Sequence, residues 1–423
     1  MSVVRAVSQE ASQRYDEMKR TPASLDLTRG KPAPEQLDLS NDLLGILGPK
    51  DYRAADGTDC RNYGGLEGLP EMRSLFGELL GTKADQVFVA DNSSLFLMYH
   101  TLAQSMLHGV VDGSGPWVGQ RPRFLCPSPG YDRHFSICED LGIEMTSVPM
   151  TSSGPDMEIV EREAASDPRV KGLWIVPKYG NPTGVTLGPA VVGALARMKT
   201  AAPDFRVMWD NAYAVHDLGD APDVLESPMG EAEGAGHKNR FWLYTSLSKV
   251  TFAGAGVAAM ASSPENVGWM RKHHANVTIG PDKLNQLRHA RFLPNADAVR
   301  GHMRKHAAIL RPKFEVVQRV LERELGGIGE REVGPFAAWT RPRGGYFVSL
   351  DTRPGCAAKV VKLAADAGVK LTPAGSAYPY RKDPADRNIR IAPSFPSLVD
   401  LERAMSVLAV AILLASADGA APH

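Results

Sequence analysis

Residues 241–261 read FWLYTSLSKVTFAGAGVAAMA. An apolar run, Phe241-Trp242-Leu243-Tyr244, gives way to the hydroxyl-bearing Thr245-Ser246-Leu247-Ser248 and then to Lys249. A Gly/Ala-rich stretch follows and ends in a second apolar run. Both runs are apolar at consecutive rather than alternate positions, as strands covered on both faces are. Runs of the same kind recur at residues 87–90, 123–126, 144–148, 172–176 and 206–210. Helical patterns lie between several of them, at 93–107, 131–141 and 189–199. Strand–helix–strand alternation predicts an α/β fold whose mostly parallel sheet is covered by helices. Ligands of such sheets bind beyond the carboxyl ends of the strands, so the chemistry is expected in the loops that leave them.

Past residue 295 the pattern changes. Residues 295–325 read as one long, charged, amphipathic helix. Short strands (346–350, 389–391) and helices (357–367, 398–414) follow, as in a smaller α+β domain. The expected division is an N-terminal segment, 1–50, packing with the small domain; a large ligand-binding domain, 51–300; and the small domain, 301–423. A chain of 423 residues is long enough for this.

Lys+Arg and Asp+Glu both number 48, so the formal net charge is zero, without the basic excess of a nucleic-acid binder. The most apolar stretch, 404–415, is shorter than the roughly 20 residues a bilayer needs and reads as a buried helix. The first 20 residues are polar, without a signal-peptide core. Cys60, Cys126, Cys138 and Cys356 are widely spaced and form no metal-type pair. Reduced thiols in a cytoplasmic protein are expected. His273 and His274 read as part of a solvated helix face.

A lysine at a strand end inside a pocket is costly to desolvate while charged, so its pKa should fall. A neutral amine forms Schiff bases with aldehydes, so Lys249 is either a solvated surface lysine or, inside a pocket, a Schiff-base amine. Two other patterns overlap it. Ser246-x-x-Lys249 fits a serine acyl-enzyme, but the Ser-Asp-Asn and Lys-Thr-Gly elements are missing. Gly254-x-Gly256-x-x-Ala259 loosely fits a dinucleotide fingerprint, but it opens a strand rather than a helix.

The Schiff-base reading gains support elsewhere. In Trp209-Asp210-Asn211-Ala212-Tyr213, a carboxylate ends a buried strand and needs a cationic partner, which a protonated pyridine nitrogen would supply. Tyr213 could reach the same ligand. Gly180-Asn181-Pro182-Thr183-Gly184 marks a tight turn, either that alone or one whose Asn181 amide bonds a phenolate oxygen of a cofactor. Asp91-Asn92-Ser93-Ser94 opens a helix; it is an ordinary N-cap, the commoner use of Ser and Asn, or its N–H groups and hydroxyls form a phosphate cradle. Arg390, between Ile389 and Ile391, is a solvent-facing charge on an edge strand or a guanidinium suited to bidentate capture of a carboxylate.

These segments stand in the order found in class I/II aminotransferases, the pyridoxal-phosphate enzymes of fold type I. The chain resembles that family over nearly its whole length, and most closely the bacterial aspartate aminotransferase subgroup called type Ic. The resembling stretches are LTRGKPAPEQLDLS, NYGGLEGLPEMR, DNSSLFLMYHTL, CPSPGYDRHF, PKYGNPTG, WDNAY, SLSKVTFAGAGVA, RGGYFVSLD and NIRIAPSFP.

The resemblance implies pyridoxal 5'-phosphate as cofactor, with Lys249 as Schiff-base lysine and proton shuttle. It implies Asp210 at the pyridine nitrogen, Asn181 and Tyr213 at the ring oxygen, and Tyr131 stacked on the ring. It assigns the phosphate to Ser93, Ser94 and Ser246, with Tyr63 reaching in from a neighbouring subunit of a homodimer. Arg390 would take the substrate α-carboxylate, with Gly30 beside it and Asn181 also in contact. One departure stands out: many relatives carry an arginine about eight residues after the lysine, whereas residues 250–257 here include no basic residue.

The implied activity is amino transfer between an amino acid and a 2-oxo acid, with aspartate and 2-oxoglutarate favoured. A carbon–sulfur β-lyase and an aromatic or kynurenine-type aminotransferase would use the same core. A dicarboxylate needs a second cation opposite Arg390; Arg29, Lys31, Lys283 and Arg288 are the candidates. A DNA-binding regulator built on this fold would carry an N-terminal winged helix, for which residues 1–60 supply no basic recognition helix.

Overall fold

A computed structural model describes residues 3–22, 24–28, 30–327 and 335–418. Its main sheet has eight strands: β2 (Val87–Val89), β3 (Arg123–Ser128), β4 (Glu144–Thr151), β5 (Gly154–Pro155), β6 (Val170–Ile175), β7 (Arg206–Asp210), β8 (Phe241–Ser246) and β9 (Ala258–Ala261). They lie in the order β2-β9-β8-β7-β6-β3-β4-β5. Strands β8, β7, β6, β3 and β4 run parallel. β9 runs antiparallel to both of its neighbours, and β5 closes a hairpin on β4. The fold is therefore α/β with a mostly parallel, helix-covered sheet, as expected.

The β8-to-β9 step explains the antiparallel exception. Only residues 247–257 separate the two strands, too few for the helical crossover a parallel return requires. Both faces of the sheet are covered. Val207, Trp209 and Leu243 belong to one apolar core, and Trp174, Met208 and Trp242 to the core on the opposite face. Each buried side chain of this size contributes roughly 2–3 kcal/mol.

Besides the two cores on the main sheet, another forms around a three-stranded antiparallel sheet, in the order β10 (Ala337–Trp339), β11 (Val348–Thr352), β13 (Asn388–Ile391). The C-terminal helix Leu398–Asp418 is buried in it, with Leu408 through Ile412 inaccessible. Among the described residues no helix is long and apolar enough to cross a membrane. Helix Ala296–Leu325 joins the main-sheet core of Val207 to the core of the three-stranded sheet: Val299 and Met303 pack in the former, Leu310 through Leu325 in the latter.

The N-terminal segment straddles both cores. β1 (Leu25–Asp26) pairs with β12 (Val369–Lys370), and helix Val3–Arg20 packs on Leu398–Asp418. Residues 41–44 instead lie against helix Lys283–Phe292.

Candidate active site

Three parallel strands deliver side chains to one cleft of about 710 Å³. Asp210 ends β7, Ser246 ends β8 with Lys249 three residues on, and Val176 directly follows β6. These are the carboxyl ends of adjacent strands, next to the β6–β3 pairing, where the strand order reverses. The small α+β unit supplies the opposite wall through Phe347, Lys370, Thr372 and Arg390. Gly30 closes a side. A Cβ there would stand 2.5 Å from the Phe347 ring, so only glycine lets the N-terminal segment approach.

Lys249 opens on the cleft, its Nζ 5.3 Å from the centre of the Tyr213 ring. Burial pushes its pKa below that of an ordinary lysine, and the Asp210 carboxylate opposes part of the shift. The amine is therefore nucleophilic nearer neutral pH than an exposed lysine would be.

Asp210 is buried. Its Oδ2 bonds His134 Nε2 at 3.0 Å, whereas its Oδ1 has no partner among the described residues. A buried carboxylate oxygen without a donor is costly. A protonated ring nitrogen of a cofactor lodged in the cleft would satisfy it, so these residues fit pyridoxal phosphate. Tyr131, before helix Asp132–Asp140, lines the cleft and meets the His134 ring edge-on. Burial raises the pKa of both Tyr131 and Tyr213, keeping their hydroxyls protonated.

Ser93 caps helix Ser94–His108, its hydroxyl accepting the Phe96 N–H at 3.2 Å. Ser94 and Ser246 line the same cleft, joined by Ser248, whose Oγ donates to the Asn92 carbonyl at 2.7 Å. Gly256 sits under that contact: a Cβ would lie 2.7 Å from Ser248 Oγ and 2.8 Å from Asn92 O. Hydroxyls, backbone N–H groups and a helix N-terminus together make an anion cradle that uses no arginine from residues 250–257.

Arg390 is buried against Phe347, with Nη1 2.7 Å from Asp132 Oδ1 and 3.3 Å from Asn181 Oδ1. Accepting from Arg390 through Oδ1 leaves the Asn181 amide N–H groups available to a ligand.

The expected residues thus meet in one cleft, Tyr63 excepted. It is 81% exposed and lies outside the cleft of its own chain. Of the candidate second cations, Lys31 lines the cleft. Lys283 does not; its Nζ donates to the Gly64 carbonyl at 2.6 Å and so fixes the loop that carries Tyr63. Arg288 bonds Asn285 Oδ1 and also lies outside the cleft, and Arg29 falls outside the described residues.

Four features escaped sequence reading. His134 supports Asp210; its position three residues after Tyr131 on a helix was the available signal. Asp132 occupies Arg390. Arg133 and Lys370 line the cleft. A buried chain also runs behind Lys249: Val250 O to His302 Nε2 (2.9 Å), His302 to His306 (3.2 Å), His306 Nδ1 to Gln36 (3.1 Å) and Gln36 to Tyr346 OH (3.0 Å). Burial pushes the His306 pKa down to about 4, so this link stays neutral. The reading of His274 as solvated was wrong: it is buried, with Nδ1 3.3 Å from His100 Nε2, because its helix packs that face on Phe88.

The family profile described as aspartate amino-transferase matches residues 1–422. The chain belongs to the aspartate aminotransferase family. It is 49% identical over 412 residues to the aspartate aminotransferase of Corynebacterium glutamicum, covering 97% of this chain and 94% of that protein. A crystal structure of an aspartate transaminase from the same organism superposes with a TM-score of 0.95 at 48% identity, covering 99% of this chain and 97% of the other. An α-aminoadipate aminotransferase from Thermus thermophilus, solved in complex with N-(5'-phosphopyridoxyl)-L-leucine, is 21% identical. It shares the fold, with a TM-score of 0.74 over 96% of this chain and 95% of that one. As a family member, the chain is a fold type I pyridoxal-phosphate-dependent aminotransferase.

Proposed function

We propose that the chain moves the amino group of aspartate to 2-oxoglutarate, using pyridoxal 5'-phosphate attached to Lys249. The observation that carries this is the pairing, in one cleft, of a lowered-pKa amine with the unpartnered Oδ1 of a buried aspartate, Lys249 and Asp210. When bound, the cofactor supplies an aldehyde that captures the amino group and a ring that takes up the electron pair left at Cα.

The side chains have separate tasks. Asp210, held by His134, keeps a proton on the ring nitrogen. Asn181 and Tyr213 bond the ring oxygen, and Tyr131 covers the ring face. Ser93, Ser94 and Ser246 hold the phosphate. Arg390 orients the α-carboxylate, with Gly30 leaving room for it. Lys249 would hold the cofactor through its amine and would serve as the base that carries the substrate's Cα proton.

Preference for a dicarboxylate is supported by the charges lining the cleft. Beyond Arg390, which is paired with Asp132, the basic side chains of Lys31, Arg133 and Lys370 face the space, against the carboxylates of Asp26 and Asp210. A second carboxylate is suited to that excess.

A homodimer is supported by an exposed apolar patch. Tyr63, Val277 and Ile279 are exposed, and the Gly64 and Gly280 backbones touch, which brings them together. Tyr63 would then reach the phosphate of the neighbouring subunit. The four cysteines are free and buried, in keeping with a cytoplasmic protein. The helix Ala296–Leu325, crossing from one core to the other, supports a division near residue 300.

The test is a panel of amino donors with oxo-acid product measured. Aspartate with 2-oxoglutarate should be the fastest pair. Pyruvate and ammonia released without an acceptor would instead indicate a carbon–sulfur lyase, and a preference for tyrosine or kynurenine an aromatic aminotransferase.

A further inference from the structure

Arg390 is already occupied. Its Nη1 holds Asp132 Oδ1 at 2.7 Å, the one carboxylate paired with it among the described residues. Among the described residues, Nη2 makes only long contacts, 3.5 Å to Thr28 O and 3.4 Å to Thr372 Oγ1, and Nε is buried without a partner. Asp132 itself is not locked in place: its side chain is 31% exposed, against 9% for Arg390, and it lines the cleft. It is the first residue of helix Asp132–Asp140, where a carboxylate is stabilised by the helix N-terminus whether or not it holds the arginine.

We propose that Asp132 is the resting occupant of the substrate-carboxylate site, and that every ligand carboxylate must displace it to reach Arg390. The inference rests on the reading above, in which Arg390 takes the α-carboxylate. A ligand carboxylate that grips Arg390 through the Nη1–Nη2 edge meets Asp132 on Nη1, and two carboxylates there repel each other, so binding in that geometry is an exchange. Before substrate arrives, Asp132 answers a buried charge that would otherwise be unpaired. The exchange lowers apparent affinity by the fraction of time the aspartate is in place, which makes Asp132 an affinity-setting residue. It also admits only ligands whose carboxylate can replace it; an amine without one leaves the pair closed.

The holoenzyme variants Asp132→Asn and Asp132→Ala test this. Asparagine retains an oxygen that can accept from Arg390 but loses the charge; alanine loses both. Maleate, an unreactive dicarboxylate, is titrated into each by calorimetry, and the KM for aspartate is measured alongside. Displacement predicts that both variants bind maleate more tightly and show a lower KM, by about three- to tenfold. If Asp132 merely orients Arg390, asparagine changes neither quantity and alanine weakens both, which overturns the proposal. Arg390→Ala separates this failure from failure of the underlying reading. If that variant binds maleate as wild type does, Arg390 is not the carboxylate site, and the exchange falls with it.

Discussion

His134 Nε2 stands 3.0 Å from Asp210 Oδ2, while the His134 ring lies flat on Trp174, 4.2 Å between centroids and 8° from parallel. The stacking fixes the imidazole, and the imidazole fixes the carboxylate that ends β7. One Asp210 oxygen is thereby satisfied by the protein and the other left for a ligand. His134→Ala should weaken pyridoxal phosphate binding by about 10- to 100-fold, the size of loss seen when the hydrogen-bond partner of a ligating side chain is removed at metal sites. Titrating the apoprotein by absorbance measures this; unchanged affinity would show that Asp210 is oriented by other means.

Lys249→Ala should lower transamination by at least about 10⁴-fold, since nucleophile and proton shuttle are lost together. Borohydride reduction of the wild-type holoenzyme should leave the cofactor mass on the peptide containing Lys249. An adduct on another lysine would refute the assignment.

The pH dependence of cofactor attachment follows from the direction of the Lys249 shift. Burial lowers its pKa, so the neutral amine is populated at a pH where an exposed lysine is still charged. Attachment should accelerate as pH rises and level off below the ordinary 10.5. Asp210 favours the charged amine, so Asp210→Asn should move the midpoint lower still. A stopped-flow series across pH reads both; a midpoint at the ordinary value, or an upward move, contradicts the picture.

Arg390→Lys keeps the charge but not the planar fork. With one bond where the guanidinium could make two, kcat/KM for aspartate should fall about 10- to 100-fold. Steady-state kinetics decides it, and a near-wild-type value would remove Arg390 from carboxylate binding.

Far from the cleft, Lys171 Nζ is 2.7 Å from Asp204 Oδ1, and Asp204 Oδ2 accepts the Trp117 Nε1–H at 2.8 Å; all three residues are buried. Lys171→Met strands the carboxylate and should cost about 3–5 kcal/mol. The double variant Lys171→Met/Asp204→Leu should recover part of that loss. Urea denaturation of all three proteins gives the comparison.

Much of the molecule was legible from local pattern. Consecutive apolar residues marked β3, β6, β7 and β8, because a strand covered on both faces has no polar side to show. Ser93 and Arg390, picked out by residue type in context, both line the cleft. His274 was misread because adjacent Arg271 and Lys272 suggested solvent, whereas a helix turns each residue by about 100° and placed this one inward. Lys283 and Arg288 were credible cations, but their side chains run to Gly64 and Asn285. Tertiary placement, not composition, set those directions.

By itself, the amino-acid order determined the sheet, the helix starts, and which side chains could do the chemistry, since each depends on residues within a few positions of one another. Only the folded chain decided that Asp132 holds Arg390, 258 residues away, and that His134 holds Asp210, 76 away. Such pairings arise where separate strands and helices converge, and distance along the chain carries no information about distance in space.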